Sequence, residues 1–391
     1  MLDFHHLVGQ LHDFQAYRRA EDERHAARLA RALDALVRCS PGWETLCADV
    51  QAEAEQAGSR SKPLRGLPYS APDGCHPCGE RPTPVTVVAT DGSQIYPDRH
   101  VEPACYLLNI ARVALHYGTE EPVVLVAEPD LRFRQRDLDD LDPGGEDARL
   151  DVTAEVVSAL RDELELRWLF ETAYEERRPA RPLVAMADGT LIRWMLRGMK
   201  HRALEDRLVD RYLAQLERFR EEGIPVCSYV SRPANTEVVN LLRFYLGEDD
   251  ERPEEDSLRG LLDRHVFERV LAPGQRSAVF ASGSKILERY GPEHHIGYFY
   301  VRLPHEVARV ELPHWVTEQP GVVDLVHAVV LDQCEKGGGY PIALTEAHER
   351  AVVRAQEKEI FYRILERQMR GAGLAVGMGS GKTFSKRAPR V

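Results

Sequence analysis

Two short apolar runs in this chain stop at the same kind of three-residue pattern. Val85-Thr-Val-Val-Ala-Thr90 leads into Asp91-Gly-Ser93, and Pro182-Leu-Val-Ala-Met-Ala187 leads into Asp188-Gly-Thr190. Short runs of this composition read as buried strands. A carboxylate closing each one stands where an isolated charge is costly. Between them, Tyr106–Leu115 and Val123–Val126 read as two more strands, arranged as an antiparallel meander. Asp151–Arg178 reads as one long helix with Val157, Leu160, Leu164 and Trp168 on one face. A helix from Leu204 to Glu222, a strand from Val226 to Val230 and a helix from Asn235 to Phe244 follow. The order β-β-β-α-β-α-β-α is mixed α/β, and it predicts one main sheet with helices packed against it.

Around this centre the chain divides by composition. Residues 1–57 are rich in Ala, Leu, Arg and Glu, with Leu29, Ala32, Leu33, Leu36 and Val37 at helical intervals, and predict one or two helices. Residues 58–84 are dense in Ser, Pro, Gly and Cys and read as a linker or excursion. The main domain is expected over 85–370, with a solvated acidic insertion near 247–256. In its last third, Ile296–Arg302 and Ala308–Leu312 read as paired strands, and Val322–Lys336 and Thr345–Met369 as helices. Residues 371–391 are Gly-rich and basic and are expected to form a mobile tail.

The net charge of −12 argues against a protein that coats nucleic acid without specificity. It does not oppose a carboxylate-lined site that cations neutralise. No apolar run reaches the roughly 18–20 residues of a membrane span, and the N-terminus lacks a secretory pattern, so a cytoplasmic protein is expected. Seven scattered cysteines do not make a disulfide framework. Cys75 and Cys78 form a lone C-x-x-C without the second ligand pair that zinc requires, and read as two thiols on a surface loop.

One Asp-Gly reads as a turn. Two of them, each at a strand end and each followed by a hydroxyl residue, suggest more. If the strands are neighbours, Asp91 and Asp188 converge, and two converged carboxylates stay ionised cheaply only around a cation. Mg²⁺ or Mn²⁺ suits such oxygen ligands. In nucleases of the ribonuclease H-like class a helical acid completes the site, and here Glu163, Glu165 and Glu171 are available. Glu165, on the edge of the apolar stripe, is the preferred one.

Thr90-Asp-Gly-Ser-Gln-Ile-Tyr-Pro-Asp-Arg-His100, Asp188-Gly-Thr-Leu-Ile192, Tyr229-Val-Ser-Arg-Pro233, Arg309-Val-Glu-Leu-Pro313 and Gly339-Tyr-Pro-Ile-Ala-Leu-Thr-Glu-Ala-His348 occur in that order. Together they resemble the NurA nuclease domain over about Val85 to Arg387. The resemblance implies a ribonuclease H-like mixed sheet with flanking helices, here with an N-terminal helical extension. It implies Mn²⁺-dependent cleavage of DNA, a homodimer, and a hexameric HerA-type ATPase translocase as partner in DNA end resection and double-strand-break repair. It makes Asp91 and Asp188 metal ligands, His348 a further ligand or catalytic residue, and Tyr340 a residue near the site. The residues themselves offer Arg232 as a phosphate clamp and Lys382 and Lys386 as backbone-tracking cations. Imidazole favours Mn²⁺ over Mg²⁺, and paired ions suit phosphoryl transfer.

Two other patterns fail on one residue each. Gly377-Met-Gly-Ser-Gly-Lys-Thr383 lacks the first Walker glycine, which is Val376, and only eight residues follow it. Val184-Ala-Met-Ala-Asp-Gly-Thr-Leu191 resembles a haloacid-dehalogenase-type phosphatase but has Met186 where the nucleophile belongs. From another class of function, a DNA-binding scaffold that regulates a translocase without cutting stays open.

Overall fold

The computed structural model describes residues 4–57, 63–96, 105–133, 153–193, 202–248 and 257–374. Two compact units emerge: Met1–Glu80 with Tyr229–Leu331, and Arg81–Ser228 with Asp332–Val391. No helix among the described residues is long and apolar enough to cross a membrane.

The second unit holds the meander expected from the sequence. Its strands are β1 (Val85–Ile95), β2 (Tyr106–Tyr117) and β3 (Val124–Arg132), then helix α1 (Ala154–Glu176), strand β4 (Leu183–Asp188), helix α2 (Arg202–Glu221) and strand β5 (Val226–Val230). Near its end come α3 (Ile342–Ala351) and α4 (Ala355–Gly371). β1 and β2 are antiparallel from Val85↔Tyr117 to Ile95↔Leu107. β2 and β3 are antiparallel too. β4 lies parallel to β1 from Thr86↔Leu183 to Thr90↔Ala187. The order is therefore β3-β2-β1-β4-β5.

This register corrects one expectation. Asp91 does not end its strand: β1 runs on to Ile95 because β2 pairs with all eleven of its residues. What ends at Thr90 is the parallel ladder to β4. Asp188 is the last residue of β4. Asp91 and Asp188 therefore stand one step past the last ladder pair, on strands spaced about 4.7–4.9 Å apart.

α1 starts at Thr153, whose side chain accepts from the Val156 amide. It buries Val157, Leu160, Leu164 and Leu169 and packs on β1, β2 and β4. α3 packs on β1 and β2. Strand alternation assigns the two helices to opposite faces. The Thr90 hydroxyl donates to the Glu165 carbonyl of α1 (3.0 Å), while Asp91, next in sequence, turns its carboxylate to α3. α3 and α4 replace the single helix expected over 345–369. Its break, at Val352–Arg354, carries neither Gly nor Pro to announce it.

In the first unit, helices Phe4–Cys39 and Trp43–Ala57 bear out the helical start, and Leu29, Ala32 and Leu36 join a core with Val239, Leu242 and Val266. The composition that read as a linker is woven into a sheet: Leu67–Pro68 pairs with Phe280–Ala281 and Cys75–His76 with Arg276–Ser277. Those partners lie about two hundred residues away in sequence, so local composition could not show them. Cys75 thus lies on a short strand and not a loop, and none of the seven cysteines is in a disulfide. The strands Ile296–Arg302 and Val307–Pro313 form an antiparallel pair.

Candidate metal centre

Four elements of the second unit bring side chains to the end of the β1–β4 ladder. β1 supplies Asp91, with a side chain mostly out of solvent, and its Oδ1 accepts from the Gly92 amide (2.8 Å). α3 supplies His348, exposed, with Nδ1 2.7 Å from Asp91 Oδ2. β4 supplies Asp188, whose Oδ1 accepts from the Tyr340 hydroxyl at 2.6 Å. Tyr340 follows Gly337-Gly-Gly339, where the preceding helix Val322–Lys336 stops. Gly339, at φ +118, donates to the Cys334 carbonyl and turns the chain towards β4. Burial, with the nearby Asp188 charge, raises the Tyr340 phenol well above its ordinary range, so it stays a proton donor.

α1 supplies Glu165. Of the three candidate glutamates, Glu163 is bound to Arg211 (2.6 Å) and Glu171 to Arg218 (2.7 Å), both on α2. Only Glu165 turns towards β1. It does so across Gly92: a Cβ there would lie 2.5 Å from Glu165 Oε1, 2.7 Å from Ile110 Cδ1 and 2.9 Å from Arg161 Cγ. Glu165 lies on the α1 face and Asp91 points to the α3 face, so the bare backbone at position 92 is what lets the two carboxylates approach. Gly92→Ala is expected to displace Glu165 and to weaken divalent-cation binding here by roughly 10–100-fold. It should lower stability by only about 1–3 kcal/mol. Calorimetry with Mn²⁺ beside urea unfolding checks both.

Sequence reasoning missed Arg161, although its place four residues before Glu165 is a helical ion-pair spacing. Its Nε lies 2.9 Å from Glu165 Oε1, its Nη1 donates to Gln94 Oε1 and its Nη2 to Asp162 Oδ1. Asp162 Oδ2 is in turn 3.2 Å from Arg193 Nη1. The Arg161–Glu165 charge contact is poorly aligned for a hydrogen bond and leaves the buried Oε1 without a donor. Burial pushes the Glu165 carboxyl up to about 8, with Asp162 and Asp91 adding to the shift and Arg161 and Arg193 opposing it. A nearby cation would stabilise an acid so destabilised in its ionised form, and Asp91, Asp188 and His348, on elements that reach the same ladder end, are ligand types that a divalent cation takes.

Among the described residues, no three of Asp91, Asp188, Glu165 and His348 bring ligand atoms within 4.8 Å of one another. Among the described residues, the one group with three metal-ligating atoms within 4.8 Å of each other is His116, Glu121 and Glu176. It lies where His116 pairs with Thr86, at the other end of β1 and β2 from Asp91. There Arg181 forks Glu121 at 2.9 and 3.1 Å, and Arg178 faces both glutamates, so the carboxylates already have cationic partners.

The other residues singled out from sequence are placed elsewhere. Arg232 belongs to the first unit, where it is exposed at φ +45 and its carbonyl accepts from Arg264. Lys382 and Lys386 lie outside the described residues, as does the Walker-like run. Met186 is fully buried within β4.

A meander, a helix and a parallel fourth strand, with acids one step beyond the ladder, define an α/β domain of the ribonuclease H-like class. The chain belongs to the NurA domain family, whose model matches residues 85–353. It is similar to the crystal structure of the NurA nuclease from Sulfolobus solfataricus, at 16% identity and TM-score 0.48, over 76% of this chain and 88% of that one. Two further crystal structures, one of NurA and one of NurA with manganese, are 12% and 10% identical with TM-scores of 0.37 and 0.35, each over 75% of this chain and 91% of the other. No curated protein sequence matches the chain significantly.

Proposed function

We propose that this chain is a divalent-metal-dependent deoxyribonuclease that hydrolyses phosphodiester bonds at the β1–β4 end. The observation that carries this reading is the register: Thr90↔Ala187 is the last ladder pair, so Asp91 and Asp188 follow it side by side. Two anions so placed repel unless a cation lies with them. Membership of the NurA domain family supports the same reading.

Asp91, Asp188, Glu165 and His348 would hold the metal, and their mixed oxygen and imidazole donors suit Mn²⁺ better than Mg²⁺. Bound there, a pair of such ions would supply Lewis-acid activation of water and stabilisation of the leaving oxygen. Tyr340 holds Asp188 by its hydroxyl, and the Arg161 guanidinium places a positive charge beside Glu165. Arg232, Lys382 and Lys386 contribute phosphate contacts. The protein works as a homodimer in the cytoplasm, with a HerA-type hexameric translocase feeding DNA to it for end resection and repair.

Incubation with linear DNA tests the reading. Fragments are expected with Mn²⁺ and none once EDTA removes it. DNA bound but left intact at every Mn²⁺ concentration favours the non-cleaving scaffold.

A further inference from the structure

Ser93 is two residues beyond Asp91 and so faces α3 as well. Directly across the ladder from it is Asn109 on β2. Both side chains reach the same atom: the Ser93 hydroxyl and Asn109 Nδ2 (2.8 Å) donate to the Ala351 carbonyl, and Asn109 Nδ2 also lies 3.4 Å from the Arg350 carbonyl. Ala351 is the last residue of α3. The final carbonyls of a helix have no partner within it, and here two polar side chains from the sheet take them.

The other end of α3 is also tied. The Ala343 amide donates to Gln333 Oε1 (3.1 Å), and Gln333 Nε2 donates to the Tyr117 hydroxyl of β2 (3.0 Å). Along α3, Ala343, Leu344, Ala347 and Ala351 are buried, and the three alanines are small enough to let the helix lie close to the strands. His348 sits three residues before the Ser93–Asn109 tie. Its own side chain is exposed, so packing does not fix it and the position of the helix must.

We propose that Ser93 and Asn109 are positioning residues that clamp the C-terminal end of α3 and thereby keep His348 at Asp91. The functional consequence rests on the nuclease reading above; the clamp itself does not. The pattern Asp-Gly-Ser then has three tasks on one strand: Asp91 meets the imidazole, Gly92 admits Glu165 from the other face, and Ser93 holds the helix that carries the imidazole.

The test compares Ser93→Ala, Asn109→Asp and the two combined with Ser93→Thr, which keeps the hydroxyl. Asn109→Asp keeps the shape while replacing the donor by an acceptor. Mn²⁺ binding is read by calorimetry, cleavage on linear DNA, and the helix by hydrogen exchange of the 342–351 amides. The combined variant is expected to bind Mn²⁺ about 10–100-fold more weakly, the usual effect of losing a group that supports a ligand. Its α3 amides should exchange faster while those of α1 stay protected, and Ser93→Thr should match the wild type. Each single change should cost less than half of the combined loss in free energy, because the remaining donor keeps the shared carbonyl. Unchanged Mn²⁺ affinity in the combined variant overturns the proposal, as does weakened affinity with α3 exchange unaltered. If the combined variant does not fold, Asn109→Asp is read by the same criteria. A wild type that neither binds Mn²⁺ nor cuts DNA removes the nuclease reading instead, and exchange in α3 alone then decides the clamp.

Discussion

Asp91→Ala is expected to reduce Mn²⁺-dependent cleavage by at least about 10³-fold while leaving the fold in place. Ligands that hold a metal against a transferring phosphoryl group supply several kcal/mol of transition-state stabilisation, and about 4 kcal/mol is a factor of 10³. The fold should survive because Asp91 makes no buried structural bond. Its side-chain partners are the adjacent Gly92 amide and the exposed His348 imidazole, and the β1–β2 ladder through position 91 is backbone. Cleavage assays beside thermal melting check both halves. Asp188→Asn should behave alike, and its effect separates the carboxylate's charge from its shape. Retained cleavage in Asp91→Ala would remove Asp91 from the site.

The largest effect on stability is expected in the first unit, at Glu237. Arg309 is fully buried there, with Nη1 2.8 Å from Glu237 Oε1, Nε 2.9 Å from Glu311 Oε1, and its guanidinium carbon 3.5 Å above the Tyr298 ring. Glu237 Oε2 also accepts from the Gly283 amide at 2.9 Å. Glu237→Ala leaves a buried guanidinium short of one of its two carboxylates and an amide without an acceptor. Breaking a buried pair from one side costs about 3–5 kcal/mol, which for a unit of this size lowers the melting temperature by roughly 10 °C. Removing the charges together, as in Arg309→Met with Glu237→Gln and Glu311→Gln, should recover much of that loss. A Glu237→Ala melting temperature within 2–3 °C of wild type, an allowance of about 1 kcal/mol, would show that the network contributes little.

That network explains a sequence pattern for which chemistry could have been suspected. Arg309-Val-Glu-Leu-Pro313 is one of the five segments that carry the family resemblance, yet its charges are sealed in a core. In Tyr229-Val-Ser-Arg-Pro233, Tyr229 and Ser231 both donate to the Glu306 carboxylate, at 2.6 and 2.7 Å, nearer the surface. The order of strands and helices was legible because apolar periodicity is local. Val226–Val230, Ile296–Arg302 and Val322–Lys336 have the bounds their periodicity predicts. What was not legible depended on partners distant in sequence. Asp-Gly at 91–92 reads as a turn, and only pairing with β2 shows that the strand continues. Glu163, Glu165 and Glu171 look alike along α1 until α2 claims two of them through Arg211 and Arg218. The paired Asp residues marked the candidate site, but Gly92 as the opening between the two faces needed the packing of α1 on β1.

A crystal soaked in Mn²⁺ and measured at the manganese edge locates a bound cation without reference to activity. Anomalous density is expected at the end of the β1–β4 ladder, with Asp91 and Asp188 both among its ligands and Glu165 and His348 drawn in. Density confined to His116, Glu121 and Glu176, or none near Asp91 and Asp188 at saturating Mn²⁺, would contradict a metal centre at Asp91 and Asp188.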